Sequence, residues 1–137
     1  MRIPDKQNAK GFSLYPLIQV KLRNQSKVIT FRALIDSGAA NCLLHLSVAK
    51  ALGLDPYAGE KKDSLGIGGH LFPGYVHRLA LQVQGAANWL EVDAAFIDID
   101  TIPLLGRSGF FESHQIVFEQ YRGRFEVNPR LQFAANR

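Results

Sequence analysis

The chain has 137 residues, of which 47% are hydrophobic and 20% are charged, and its formal net charge is +4 at pH 7. A chain of this length and composition predicts one globular domain that buries roughly two thirds of its unfolded surface in a single core. No run of about 18 apolar residues is present, so no membrane-spanning helix is predicted. The basic residues are scattered, which argues against a nucleic-acid-binding surface.

The N-terminal segment is polar and lacks the apolar stretch of a secretory signal. We predict a polar leader over residues 1–12, with disorder as one expectation, a folded domain over residues 13–130 and a short tail over residues 131–137. The single cysteine, Cys42, cannot form an internal disulfide, which fits a reducing compartment. A cytoplasmic location is the default expectation.

A hairpin opens the predicted domain. Alternating hydrophobic residues predict strands over 14–23 and 27–35, joined by a polar turn. In the second strand every other residue up to Ile35 lies on one face. The strand therefore ends at Ile35, and Asp36 is the first residue of the loop that follows.

The rest of the chain also predicts short strands separated by turns. A small helix is predicted after the strand over 41–44, with Ser47 as N-cap and Gly53 just past its end. A helical turn is predicted over 107–113. The further predicted strands are 62–67, 71–83, 88–97, 115–119 and 124–127. The sum is a mostly β, mostly antiparallel, barrel-like domain with one or two short helices.

Three sequence blocks carry the functional signal. The first, Ala33 to Ala39, delivers Asp36 from an apolar strand into a turn that continues Ser-Gly-Ala. Asp-Ser-Gly by itself is also ordinary turn chemistry, because Asp caps such turns and Gly tolerates their backbone angles. Two further blocks follow in order, Gly66 to Gly69 and Pro103 to Arg107, and the ordered set is more specific than any one block.

The glycine-rich block Gly66 to Gly69 has more than one reading. A phosphate-binding loop is excluded because no Lys-Ser/Thr pair follows and no helical pattern begins there. A plain flexible hairpin turn remains possible. The functional reading is a flap that closes over an extended peptide and donates backbone hydrogen bonds to it.

Taken together, the three blocks resemble the retropepsin-like aspartic proteases over about residues 14–127. The resemblance implies a small closed antiparallel β-barrel and an aspartic endopeptidase that uses no metal or other cofactor. The catalytic residue it implies is Asp36. It assigns support of the active-site loop to Ser37, Gly38 and Ala39. It assigns the flap and substrate binding to Leu65, Gly66, Ile67, Gly68 and Gly69. The resemblance implies that Leu104, Leu105, Gly106 and Arg107 pack beneath the active-site loop and contribute to the dimer.

The chemistry of this family requires two carboxylates. They hold a water between them, one taking its proton while the other polarises the scissile carbonyl, and such close carboxyls share a proton. The chain contains one Asp-Ser-Gly motif. The resemblance therefore implies a C₂ homodimer with Asp36 of each copy at the axis, acting on a polypeptide substrate.

Three positions depart from the family pattern. Ala40 stands where relatives often carry Ser or Asp, Ser108 where Asp or Asn is usual, and His70 where an apolar residue is frequent. These departures place the partner of Arg107 in question. Two alternatives stay open: a catalytically weak, protease-like dimer that binds peptides, and a small basic β-barrel that binds nucleic acid.

Other candidate chemistry is weaker. Cys42 and His45 have no visible third partner, and the four histidines are dispersed, so neither a zinc site nor a cysteine nucleophile is predicted. Cys42 is interpreted as a small buried hydrophobic residue. The spacing of Asp93, Asp98 and Asp100 favours a solvated face and loop over a cation site.

Overall fold

Strands dominate the computed structural model, which describes residues 2–4, 15–65 and 68–130. The strands are β1 (Arg2–Pro4), β2 (Leu17–Asn24), β3 (Lys27–Ile35), β4 (Cys42–His45), β5 (Glu60–Leu65), β6 (Leu71–Val83), β7 (Leu90–Ile97), β8 (Leu104–Leu105), β9 (His114–Glu119) and β10 (Arg124–Pro129). One α-helix, α1 (Leu46–Ala51), and two 3₁₀ turns, Pro56–Ala58 and Gln120–Arg122, complete the described elements. The mostly β prediction is confirmed, and each predicted strand has a counterpart.

The main sheet has seven strands in the order β2-β3-β8-β4-β7-β6-β5. One edge of the long strand β6 pairs first with β5 and then, over Ala80–Val83, with β2. Its other edge pairs with β7. The sheet thus curls until its first strand lies beside its sixth.

Pairing in this sheet is not wholly antiparallel. Strand β3 runs parallel to β8, and β4 runs parallel to β7, while the other described pairs are antiparallel. The sequence-based expectation of an antiparallel barrel is therefore wrong for these two pairs. Because β3 and β8 run parallel, the C-terminal end of β3 lies beside the C-terminal end of β8. The loop after β3 begins at this point.

Alternation along the strands builds the core. Ala33 and Ile35 at the end of β3 are buried, and the residues between them and before them are more exposed. Buried side chains of β2, β6 and β7 cover the same interior: Ile18, Val20, Leu22, Leu79, Leu81, Val83, Val92, Ala94 and Phe96. Each of these side chains larger than alanine contributes about 1.5–3 kcal/mol by leaving water. This packing anchors the strand that leads to Asp36.

The predicted helices are partly corrected. Helix α1 begins at Leu46, and its N-cap is His45, whose Nδ1 accepts from the Ser47 N–H at 3.1 Å, so the assignment of Ser47 as cap is wrong. Residues 107–113 form turns and no helix. The reason is Gly109, whose φ of +98° leaves the right-handed helical region.

A second, three-stranded antiparallel sheet has the order β1-β10-β9. Phe125 and Val127 of β10 are fully buried and join the core. Strand β1 lies within the segment predicted as a polar leader, and residues 5–12 and 131–137 of the predicted leader and tail lie outside the described residues. In the described ranges, no helix has the length and apolar character needed to cross a bilayer.

Candidate active site

Asp36 follows the last residue of β3 and is half-buried. Two backbone hydrogen bonds hold the strand end in place: Ile35 N–H donates to the Pro16 carbonyl at 2.9 Å, and Asp36 N–H donates to the Leu105 carbonyl at 3.0 Å. Because the backbone N–H groups of Ile35 and Asp36 are both bonded, the direction in which the chain leaves the sheet at Asp36 is set by neighbouring segments.

The loop after Asp36 is organised around that carboxylate. Gly38 N–H donates to Asp36 Oδ1 at 2.9 Å, and Ala39 N–H donates to the Asp36 carbonyl at 3.1 Å. A Cβ on residue 38 would lie 3.1 Å from Asp36 Oδ1, so a side chain here would crowd the carboxylate. Glycine therefore permits the turn that aims the carboxylate.

Strand β8 supports this loop from one side. Leu104 pairs with Leu34 and with Leu43, and Leu105, which is buried, pairs with Ile35. A Cβ on Gly106 would overlap the backbone of the loop: it would meet the Asn41 carbonyl oxygen and lie 2.7 Å from the Ala39 carbonyl oxygen. The two chain segments can approach this closely only with glycine at position 106.

Arg107 and Ser108 bind the same loop. The Arg107 N–H donates to the Ala39 carbonyl at 2.9 Å, and the Ser108 N–H donates to the Ala40 carbonyl at 2.8 Å. The Arg107 side chain donates from Nη1 to the Ser37 carbonyl oxygen at 2.7 Å. The partner of Arg107, which the departures at positions 40 and 108 had placed in question, is thus a backbone carbonyl of the active-site loop.

The glycine-rich block joins β5 to β6 as a hairpin. Leu65 pairs with Leu71 at its end, and Gly68 and Gly69 adopt φ values of +86° and +79°. These values lie in the left-handed region, where glycine carries no steric penalty. Gly66 and Ile67, the other predicted flap residues, lie outside the described residues. The hairpin is observed, and its action as a flap remains a proposal.

A groove of about 530 Å³ lies between the loop after Asp36 and the hairpin strand β5. We call it the β5 groove. Its lining residues are Gly38, Ala39, Ala40, Asn41, Leu43, Lys62, Asp63, Ser64, Arg107 and Ser108. Three segments that lie far apart along the chain, residues 38–43, 62–64 and 107–108, therefore meet around one open space. Sequence patterns did not point to Lys62, Asp63 or Ser64, because a solvent-facing β strand of this composition carries no functional motif.

Other candidate groups lie away from this chemistry. Cys42 is buried, and burial raises the pKa of its thiol, which fits the predicted packing role. Asp98 and Asp100 are exposed, with Oδ1 atoms 3.7 and 3.9 Å from His45 Nε2. Asp93 accepts from Arg78 at 3.2 Å. Across the described residues, no group of three or more acidic, His or Cys side chains is arranged to bind a metal ion.

Comparison with known protein families identifies the family to which this chain belongs. The family model described as aspartyl protease matches residues 18–108, a span that contains Asp36, the hairpin and Arg107. The chain belongs to the aspartyl protease family. Membership makes it an aspartic-type endopeptidase, and the family predicted from the three sequence blocks is confirmed. No curated protein matches the chain.

Two solved structures are similar to this aspartyl protease. A retropepsin-like aspartic protease from Rickettsia conorii superposes with a TM-score of 0.63 at 19% identity, over 94% of this chain and 91% of that one. EIAV protease in complex with the inhibitor HBY-793 matches with a TM-score of 0.49 at 20% identity, over 74% of this chain and 88% of that one. The first likeness assigns a retropepsin-like fold.

Proposed function

We propose that this aspartyl protease hydrolyses peptide bonds in extended polypeptides as a C₂ homodimer that contributes Asp36 from each copy. The observation that carries the proposal is the placement of Asp36, half-buried at the end of β3 and hydrogen-bonded through Oδ1 to Gly38 N–H. The chain supplies one such aspartate in one Asp-Ser-Gly motif. The second carboxylate of the pair then comes from the identical residue of another copy.

In this mechanism the two carboxyl groups share one proton and hold a water between them. The ionised carboxylate takes a proton from the water while the water oxygen attacks the scissile carbonyl carbon, and the protonated carboxyl gives its proton to the carbonyl oxygen. The first carboxyl then passes the proton that it took from the water to the amide nitrogen. The C–N bond breaks as the tetrahedral intermediate collapses, and a hydroxyl of the intermediate returns a proton to the second carboxylate, which leaves one proton on the pair. Ser37, whose side chain is exposed, is proposed to hydrogen-bond across the dimer axis.

The β5–β6 hairpin is proposed to close over the bound peptide. Gly68 and Gly69 give its turn a backbone that other residues rarely adopt, and strand-like binding takes its affinity from main-chain hydrogen bonds. Closure excludes bulk water from the reacting centre. Closure of the main sheet as a barrel, which the family resemblance implies, is supported by β2, whose two edges pair with β3 and β6.

The test compares wild type with Asp36→Asn on a diverse peptide pool from mildly acidic to neutral pH. Asp98→Asn is the matched control, because Asp98 is an exposed loop carboxylate away from β3. Cleavage is expected in wild type and Asp98→Asn and is expected to disappear in Asp36→Asn. Cleavage that survives Asp36→Asn contradicts the proposal, and a stable dimer that never cleaves favours the peptide-binding alternative.

A mixing experiment tests the shared site separately. When equal amounts of wild type and Asp36→Asn exchange freely, random pairing leaves about one quarter of the dimers with two intact aspartates. Activity per total protein is then expected to fall to about one quarter of that of wild type, whereas independent active chains would keep about one half. Specific activity is also expected to fall on dilution through the dissociation range.

A further inference from the structure

The β5 groove has an unusual balance of hydrogen-bonding groups. On its loop side, the carbonyls of Ala39 and Ala40, and the neighbouring carbonyl of Ser37, accept from Arg107 and Ser108. An acceptor committed to a protein donor is less available to a ligand. These three carbonyls therefore offer a ligand little hydrogen-bonding capacity.

Donors in the same groove remain available. Lys62 carries three N–H donors, and Arg107 carries five, of which the Nη1 group bonds to Ser37. Neither side chain forms an ion pair with another described residue. The only carboxylate among the lining residues is that of Asp63, so the lining carries two cations against one anion.

Position 40 completes the pattern. Ala40 lines the groove, and its methyl group supplies neither a charge nor an acceptor. The other lining residues of the loop, Gly38, Ala39, Asn41 and Leu43, are also uncharged. The positive charge of Lys62 and Arg107 is therefore not offset on the loop side.

We propose that the β5 groove is a substrate subsite that selects an acidic side chain, Asp or Glu, of the polypeptide. The Lys62 ammonium supplies the charge, and the free N–H groups of Arg107 donate to the carboxylate, which is an acceptor with two oxygens. This proposal rests on the proposed function, because it assigns the substrate class of the same site.

The experiment uses matched peptides that carry Glu, Gln, Leu or Lys at each of four positions on either side of the scissile bond. At one position Glu is expected to exceed Gln in kcat/KM by about fivefold, the size expected for a partly solvated ion pair. The preference is expected to shrink as salt is raised, because exposed charges are screened. Equal cleavage of Glu and Gln peptides at every position, or a preference for Lys, overturns the proposal.

Variants locate the effect in the groove. Lys62→Gln is expected to bring the Glu/Gln ratio close to one, and Ala40→Asp is expected to lower it by adding a negative charge. Lys61→Gln is the matched control, since Lys61 is the adjacent exposed residue of β5 and does not line the groove. A ratio that moves equally in Lys61→Gln and Lys62→Gln, or in neither, contradicts the assignment.

Binding separates this proposal from the proposed function. Fluorescence polarisation of labelled Glu and Gln peptides is measured on wild type and on Asp36→Asn. Tighter binding of the Glu peptide that depends on Lys62 supports the subsite even if no peptide is cleaved, in which case only the proteolytic function fails. Cleavage without any Glu preference in rate or binding overturns the subsite and leaves the protease intact.

Discussion

The guanidinium of Arg107 donates from Nη1 to the carbonyl oxygen of Ser37 at 2.7 Å and so joins the segment after β8 to the loop that carries Asp36. The backbone N–H of the same residue bonds to Ala39. One residue therefore fixes two points of the active-site loop. A carboxylate partner for Arg107 is not required for this contact.

Replacing Arg107 with Lys is expected to loosen the active-site loop. A lysine keeps the charge but lacks the planar fork that reaches the Ser37 carbonyl. We expect urea unfolding to show a loss of about 1 kcal/mol and kcat/KM on a Gln peptide to fall by about tenfold. The control is Arg78→Lys, which alters an exposed arginine bonded to Asp93 on the main sheet. Equal effects in the two variants would contradict the role of Arg107.

Adding a methyl group at position 106 is expected to separate β8 from the loop. The Cβ of Gly106→Ala would stand 2.6 Å from the Asn41 carbonyl carbon, and backbone cannot move aside as a flexible side chain can. We expect about 3 kcal/mol of destabilisation from this overpacking, measured by urea unfolding. Gly69→Ala is the comparison, because its Cβ meets nothing within 4 Å and its cost is limited to backbone strain. If Gly69→Ala costs as much, the close approach at Gly106 is not the cause.

Acid is expected to destabilise the fold through His114. Burial lowers the pKa of this imidazole, with partial compensation from the hydrogen bond between Nδ1 and the Phe110 carbonyl. Because the folded pKa lies below the ordinary value of 6.5, the unfolded chain takes up the proton first as pH falls. Stability should therefore fall from about pH 6.5 downwards until the folded pKa is passed, with a slope of at most about 1.4 kcal/mol per pH unit.

Urea unfolding at several pH values between neutral and mildly acidic measures this effect. His114→Phe should reduce the loss of stability on acidification, since phenylalanine can stack on Phe110 as His114 does but does not titrate. His70→Gln, which alters an exposed histidine, is the control variant. A wild-type slope that His114→Phe does not reduce would assign the acid sensitivity to other groups.

Cys42 is expected to report on the packing behind the active-site loop. It is 2% exposed, and its Sγ lies 3.7 Å from the Ser108 carbonyl oxygen. Burial also raises the pKa of the thiol, so little thiolate is present at neutral pH. We expect a thiol reagent to label the native protein at least about a hundredfold more slowly than the urea-unfolded chain. Gly106→Ala should accelerate labelling, and fast labelling of wild type would contradict the packing.

Local patterns were enough for most elements. The alternation from Ile29 to Ile35 predicts β3 and its last residue, because a period of two marks a half-buried strand. A helical turn was predicted over 107–113, but the segment is not helical, because Gly109 adopts a positive φ. Glycine permits a positive φ but does not require it, so the sequence did not reveal this conformation. Ser47 was predicted as the N-cap of α1, but the cap is His45, because its imidazole Nδ1 accepts from the Ser47 N–H.

The sequence by itself determined most of the strands, the place of Asp36 at the end of one of them, and the family, because these depend on local periodicity and on short ordered motifs. Only the tertiary structure decided which carbonyl Arg107 binds, which strands run parallel, and that Lys62 lines the same groove as the loop after Asp36. Those relationships join residues more than twenty positions apart. They depend on how the whole sheet curls and pairs, which no local pattern specifies.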